Sequence, residues 1–167
     1  MTQLAETSGK YRDWDPAFAR EALKDYVTRP GALIEALHKV QEIFGYVGDD
    51  AIILLANLFN LTRADVYGVV SFYHDFKRER PGRYTIKVCQ AEACQAVGSE
   101  GLTAAIKEHL GVGFHDTTAD GAFTLEPVYC LGNCACGPNI MVEKRVHARM
   151  NIDRFKSLTE ALVKEAK

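Results

Sequence analysis

The chain is 167 residues long, 47% apolar and 25% charged, which is enough to build a packed core and excludes a disordered polymer. Its 20 basic and 22 acidic side chains give a formal net charge of −2, which excludes a nucleic-acid binder working by bulk electrostatics. The longest apolar run, Ala51 to Phe59 with Asn57 inside it, is too short for a bilayer span, and Met1 to Ser8 lacks the basic and apolar blocks of a signal peptide, so a cytoplasmic protein without a membrane partner is expected.

In chain order, residues 1–14 are polar and read as a mobile tail whose aromatic side chains are Tyr11 and Trp14. Asp15-Pro16 supplies an N-cap followed by proline at the first helical position, opening a helix to about Thr28, and Arg29-Pro30-Gly31 breaks it. A second helix carries Leu33, Leu37, Val40 and Phe44 on one stripe, with Gly45 closing it. A third starts near Asp49 or Asp50 and is expected to bury Ile52, Leu55 and Phe59. A fourth takes Thr62 as N-cap with Asp65 three residues on, and presents Val66, Val69, Val70 and Tyr73. Residues 1–76 therefore predict a helical domain. The charged run Lys77 to Arg83, with Pro81-Gly82 inside it, marks the boundary and reads as a solvated linker in preference to a phosphate or acidic-partner site.

Beyond it, over residues 77–167, the period changes. Tyr84, Ile86 and Val88 alternate with polar residues in a strand ending at Cys89. Ser99 caps a predicted helix from Glu100 to Leu110, closed by Gly111. A second strand runs through Phe123, Leu125 and Val128 and ends at Cys130; Ile140 to Val142 and Val146 to Ala148 form two short strands; and Asp153 caps a last helix carrying Phe155, Leu158, Leu162 and Val163. The order β-α-β-β-β-α is α/β.

All five cysteines lie between Cys89 and Cys136. An odd, clustered set in a chain without an export signal is a poor disulfide framework and a better metal site. Four residues separate Cys89 from Cys94, three separate Cys130 from Cys134, and 35 lie between the pairs. Each pair begins where a strand ends, so neighbouring strands would bring four sulfurs to one sheet edge. Structural zinc prefers C-x2-C knuckles, and neither pair has that spacing. Iron–sulfur clusters tolerate longer loops whose backbone N–H groups face the sulfides. The segment Cys130-Leu131-Gly132-Asn133-Cys134-Ala135-Cys136-Gly137-Pro138 is built of small residues that let backbone approach an anion. Spacing alone favours a [2Fe–2S] cluster and leaves open structural zinc, a reversible dithiol, and cysteines that are small buried hydrophobes.

The pattern C-x4-C, a gap in the mid-thirties, then C-x3-C resembles that of the thioredoxin-like [2Fe–2S] ferredoxins of the 24 kDa subunit family of NADH dehydrogenases. The helical half is similar too, in Gly31-Ala32-Leu33-Ile34, Gln41-Glu42-Ile43-Phe44-Gly45-Tyr46 and Val66-Tyr67-Gly68-Val69-Val70-Ser71-Phe72-Tyr73. The resemblance spans about residues 29 to 165. It implies an amino-terminal helical bundle followed by a thioredoxin-like domain, with one [2Fe–2S] cluster held by Cys89, Cys94, Cys130 and Cys134. Within the family, the two cysteine loops are most similar to the gamma subunit of NAD-dependent formate dehydrogenases, since the respiratory version usually lacks a cysteine at the position of Cys136. The equivalent subunits of NADH:quinone oxidoreductases and NAD-reducing hydrogenases are the alternatives. The resemblance implies a non-catalytic electron-transfer subunit beside a flavin/NAD-binding subunit and a larger catalytic subunit. FMN and a molybdenum or tungsten cofactor belong to those partners.

Cys136 competes with Cys134 as a ligand, and the family pattern favours Cys134. His38, His74, His109, His115 and His147 lack ligand spacing and read as surface or helix-face side chains. Gly111-Val112-Gly113 is no phosphate fingerprint. No nucleophile–base pair or paired carboxylate is visible. The rival of a different class is a zinc-stabilised or dithiol thioredoxin-like adaptor, which the missing C-x-x-C disfavours. Phe72, Tyr73 and Phe76 serve either a core or a partner. The helical half is expected to dock on the flavin-bearing partner, with Tyr11 and Trp14 either anchoring that interface or folding back on their own domain.

Overall fold

The computed structural model describes residues 10–165, so the readings made on Met1 to Ser8 lie outside the described residues. The chain divides into two compact units, residues 1–80 and 81–167.

The first unit holds four helices: α1 (Pro16–Val27), α2 (Leu33–Phe44), α3 (Asp49–Phe59) and α4 (Arg63–Phe72). Local chemistry explains their ends. Asp15 accepts hydrogen bonds from the N–H groups of Ala17 and Phe18 at 2.9 and 3.1 Å, with Pro16 in the first turn. Gly45 ends α2 at φ +87°, a left-handed conformation that costs glycine least. Thr62 and Asp65 form a full capping box, the Asp65 carboxylate accepting from the Thr62 N–H at 2.9 Å. The stripes interdigitate in one core of Leu23, Leu37, Val40, Phe44, Leu55 and Val66, all at most 1% exposed.

The tail expected to be mobile is fastened from Tyr11 onward. Trp14 lies 4.8 Å from the Phe44 ring, centroid to centroid, and the Arg12 N–H donates to the Ile43 carbonyl. The charged run is largely exposed, as expected of a linker, and it is also pinned along its length. Arg80 pairs with Asp13 and donates to the Arg12 carbonyl, while Arg78 pairs with Asp49 and lies over the Tyr67 ring. Gln41 holds the same stretch, donating to the Asp75 carbonyl at 2.7 Å and accepting from the Lys77 N–H at 2.6 Å. Of the three aromatics left open, Phe76 is buried, and Phe72 and Tyr73 are exposed.

The second unit is a four-stranded sheet in the order β2-β1-β3-β4, made of β1 (Tyr84–Cys89), β2 (Phe123–Val128), β3 (Ile140–Val142) and β4 (Arg145–His147). β1 and β2 pair in parallel with Tyr84 opposite Phe123 and Cys89 opposite Val128; β3 pairs antiparallel with both β1 and β4. The parallel pair needs a crossover, which α5 (Glu92–Gln95) and α6 (Ser99–Leu110) supply. The last helix, α7 (Ile152–Glu165), follows β4. Ile86, Val88, Leu125 and Ile140 from the sheet, Ile106 from α6 and Phe155 from α7 form a core that excludes water.

Two caps differ from expectation. Gly98 is the N-cap of α6, because the fully buried Ser99 hydroxyl donates to the Cys89 carbonyl. At α7, Asn151 rather than Asp153 accepts the Arg154 N–H, at 2.9 Å. In both cases a neighbouring acceptor or donor outcompeted the residue that a local pattern selects.

Candidate metal centre

Register dictates where the sulfurs go. β1 and β2 run parallel and in step, so the loops after Cys89 and Val128 leave the sheet at the same edge, where ligands collect in parallel sheets. The Gln90 N–H donates to the Val128 carbonyl at 2.8 Å, extending the ladder one residue past the strand. Cys94 comes from α5, a four-residue helix not foreseen from sequence, and Cys134 opens a 3-10 turn, Cys134–Cys136.

The four cysteines separate into an inner and an outer pair. Cys89 and Cys94 are each 1% exposed, whereas Cys130 and Cys134 face outward with their sulfurs 3.7 Å apart, nearly twice a disulfide bond length. Between the pairs, the electrostatics are shared. Burial raises the Cys89 thiol, and donors outweigh it: the N–H of Ala91, the Cys94 thiol and the N–H groups of Cys130 and Leu131 bring it below its ordinary value. Cys134 is pushed up, first by its hydrogen bond with Cys130, then by the charge of Cys130, by burial, and by the charges of Cys94 and Cys89. Cys89 is thereby tied to Cys94 and to the backbone of the second loop, and Cys134 feels the charges of Cys130, Cys94 and Cys89.

Donors to sulfur continue around the site. The Gly132 N–H donates to the Cys130 sulfur at 3.3 Å, and the Asn139 amide donates to the Cys94 sulfur at 3.5 Å. Cys130 itself sits at φ +106°, a conformation that side chains rarely adopt and that costs on the order of 1–3 kcal/mol. Such strain is retained where surrounding structure dictates a side-chain direction, here that of a sulfur. Gly137 is required by close approach: a Cβ there would stand 2.8 Å from the Val97 side chain and 3.4 Å from the Cys94 sulfur. The donor set fits a [2Fe–2S] cluster, which takes two thiolates per iron and presents sulfides to backbone N–H groups. Among the described residues, no three His, Cys, Asp or Glu side chains are grouped to hold a single metal ion.

Cys136 is half-buried, its N–H donating to the Asn133 carbonyl and its carbonyl accepting from Arg149. His38 and His109 lie on helices against Phe76 and Phe155, as expected of helix-face side chains. His147 departs from that reading: it is half-buried on β4, and burial, then Arg145 and Arg154, hold its pKa below the usual value. Sequence reasoning misses Asn139 and places Ser99 only as a helix cap. The one available signal was a lone asparagine directly after Gly137-Pro138 at the start of an apolar strand.

Fold and site together define an iron–sulfur electron carrier built on a thioredoxin-like sheet. A sequence model of the thioredoxin-like [2Fe–2S] ferredoxins matches residues 19–163, and the chain belongs to that family. It carries one [2Fe–2S] cluster. A subunit of the NADH-quinone oxidoreductase of Pseudomonas aeruginosa is 41% identical over 132 residues, covering 79% of this chain and 80% of that one. The HndA subunit of the NADP-reducing hydrogenase of Solidesulfovibrio fructosivorans is 35% identical, covering 78% and 76%. Among solved structures, a chain of the NAD+-reducing [NiFe]-hydrogenase in its air-oxidised state shares the fold with a TM-score of 0.68 at 22% identity, over 80% of this chain and 23% of that chain. Among the described residues, no helix is long and apolar enough to cross a membrane.

Proposed function

We propose that this chain is the one-electron relay of an NAD(P)-linked oxidoreductase complex of the NADH-quinone oxidoreductase or NAD-reducing hydrogenase type, and that Cys89, Cys94, Cys130 and Cys134 are its cluster ligands. The observation that carries the reading is the parallel, in-step pairing of β1 with β2, which delivers both cysteine loops to one edge. The relatives named above point the same way. When bound, the cluster accepts and returns single electrons, whereas a flavin receives hydride as an electron pair. A flavin-bearing partner subunit therefore does the chemistry on NAD(P), and oxidation of the fuel belongs to a further, larger subunit. This chain's residues hold the thiolates in place, keep the inner pair dry and offer N–H dipoles to negative sulfur.

Formate dehydrogenase, the complex first suggested by the cysteine loops, is a second reading favoured by Cys136 inside the second loop. It ranks below the first because the named relatives serve quinone reduction and hydrogenase chemistry.

The experiment is capture of the full chain with its native partners, followed by electron paramagnetic resonance. About two irons and two acid-labile sulfides per chain are expected, with a signal appearing only on reduction. Dithionite should reduce the chain alone, and NADH or NADPH only with the flavoprotein present. Hydrogen, formate and quinone then separate the complexes. A colourless chain with stoichiometric zinc overturns the cluster, and the absence of a flavoprotein from the capture overturns the partner.

A further inference from the structure

Asn139 is a non-cysteine residue bonded to both cysteine loops of the metal centre. It is 1% exposed, a position where an amide persists only if its polar atoms are satisfied. Its side chain donates to the Asn133 carbonyl at 2.7 Å and to the Cys94 sulfur at 3.5 Å, and accepts from the Asn133 side-chain amide at 3.1 Å. Its own carbonyl accepts the Cys89 N–H at 3.1 Å. One residue therefore reaches the first cysteine through the backbone, the second through a side-chain donor, and the loop between the third and fourth through Asn133. The amide orientation is fixed by its neighbours. Flipping it would turn the amide oxygen toward a carbonyl oxygen and a sulfur, both acceptors, and would face the Asn133 amide with another donor.

We propose that Asn139 is a positioning residue of the redox centre, which locks the two cysteine loops together and sets the reduction potential through an N–H···S bond to Cys94. This rests on the ligand set proposed above. Reduction adds one electron and no proton, taking the four-thiolate cluster from dianion to trianion. The added charge falls partly on the ligand sulfurs, so a donor aimed at one of them is worth more after reduction than before. The bond thus favours the reduced state and raises the potential. The donor is a neutral amide in a dry position, so its effect is little screened by salt.

The test uses the full chain with its cluster. Asparagine labelled with 15N in the side-chain amide gives a hyperfine coupling to the reduced cluster in the unaltered protein. In Asn139→Leu, which keeps the volume and the backbone bond to Cys89 and removes the donor, that coupling vanishes. The reduction equilibrium then falls about tenfold, which is about 59 mV for a one-electron couple. Asn133→Ala removes the bond to the Asn139 amide oxygen and leaves both Asn139 donors in place, so it moves the equilibrium less than about threefold. A loaded, unaltered protein without the coupling overturns the proposal, as does Asn139→Leu with an unchanged potential. Equal shifts in Asn139→Leu and Asn133→Ala overturn the N–H···S role in favour of loop packing alone. If Asn139→Leu does not load, the coupling in the unaltered protein decides by itself. A Cys94→Ser chain with unchanged spectrum and potential removes the ligand set, a separate failure from loss of the Asn139 coupling.

Discussion

Ser99→Ala tests whether α6 braces the cysteine loop. The Ser99 hydroxyl is fully buried and donates to the Cys89 carbonyl; the Ser99 carbonyl accepts from the Thr103 hydroxyl at 2.7 Å, which accepts from the Gln90 amide at 2.9 Å. Both partners of this bond lie in dry protein, so deleting the hydroxyl strands a buried carbonyl at a cost of about 1–3 kcal/mol. Alanine returns about 0.5 kcal/mol as the better helix former, and no cap is lost because Gly98 occupies that position. The net destabilisation is about 1.5 kcal/mol, and at about 4–8 °C per kcal/mol for a unit of this size the melting temperature of residues 81–167 falls by about 9 °C. Circular dichroism of the full chain reads the melt, and the visible absorbance of the cluster reads its bleaching, which should accelerate in step. An unchanged melting temperature refutes the buried-bond assignment. A lowered one with unchanged bleaching shows that Ser99 serves the helix alone and that the Cys89 loop does not lean on it.

Serine at each of Cys89, Cys94, Cys130 and Cys134 should lower cluster content or shift its spectrum, because a hard oxygen replaces a soft thiolate; Cys136→Ser should keep the cluster, and the reverse outcome for Cys134 and Cys136 exchanges their roles. Trp14→Ala should cost about 1.5–3 kcal/mol in urea denaturation, less than a fully buried ring, since Trp14 is only half-buried against Phe44. An unchanged midpoint would return Trp14 to the role of partner anchor. A chain beginning at Pro81, which keeps the Gly82 N–H bond to the Thr124 hydroxyl at 2.6 Å, should load its cluster and accept electrons from dithionite, yet fail to bind the flavoprotein. Normal NADH-driven reduction of that short chain would refute a docking role for the helical unit.

What the sequence disclosed was local or periodic. Asp15-Pro16 and the Thr62/Asp65 box place helix starts because capping is chemistry among adjacent residues. The alternation of Tyr84, Ile86 and Val88 places a strand, and cysteines at or just past the ends of two strand patterns place the candidate site. What stayed hidden depends on partners far along the chain. Ser99 looks like a cap until Cys89, ten residues earlier, is found beside it. Arg80 reads as linker charge until Asp13, 67 residues earlier, is found to pair with it. Asn139 offers only its place after Gly137-Pro138, because its meaning comes from Asn133 and Cys94, which only the folded loops bring together. The strained φ of Cys130 is equally silent in the sequence, since strain is imposed by tertiary structure on a residue type that does not favour it.

With the ligand set proposed above, the split into a buried and an exposed pair of cysteines would give the centre two unlike ways of stabilising the same added charge. At Cys130 and Cys134 water can do so directly, at the expense of a potential that answers to whatever displaces that water. At Cys89 and Cys94 water is excluded, and a thiolate there would be costly without fixed donors. The protein supplies them from three directions: the turn after β1 at Ala91, the second loop at Cys130 and Leu131, and the β3 approach at Asn139. Fixed dipoles need not reorient when the electron arrives, whereas water must, so with the proposed ligand set the inner pair would lower the reorganisation accompanying each transfer. A one-electron relay needs that property more than tight binding, and it follows here from a sheet edge that buries the cysteines of the first loop and leaves those of the facing loop at the surface.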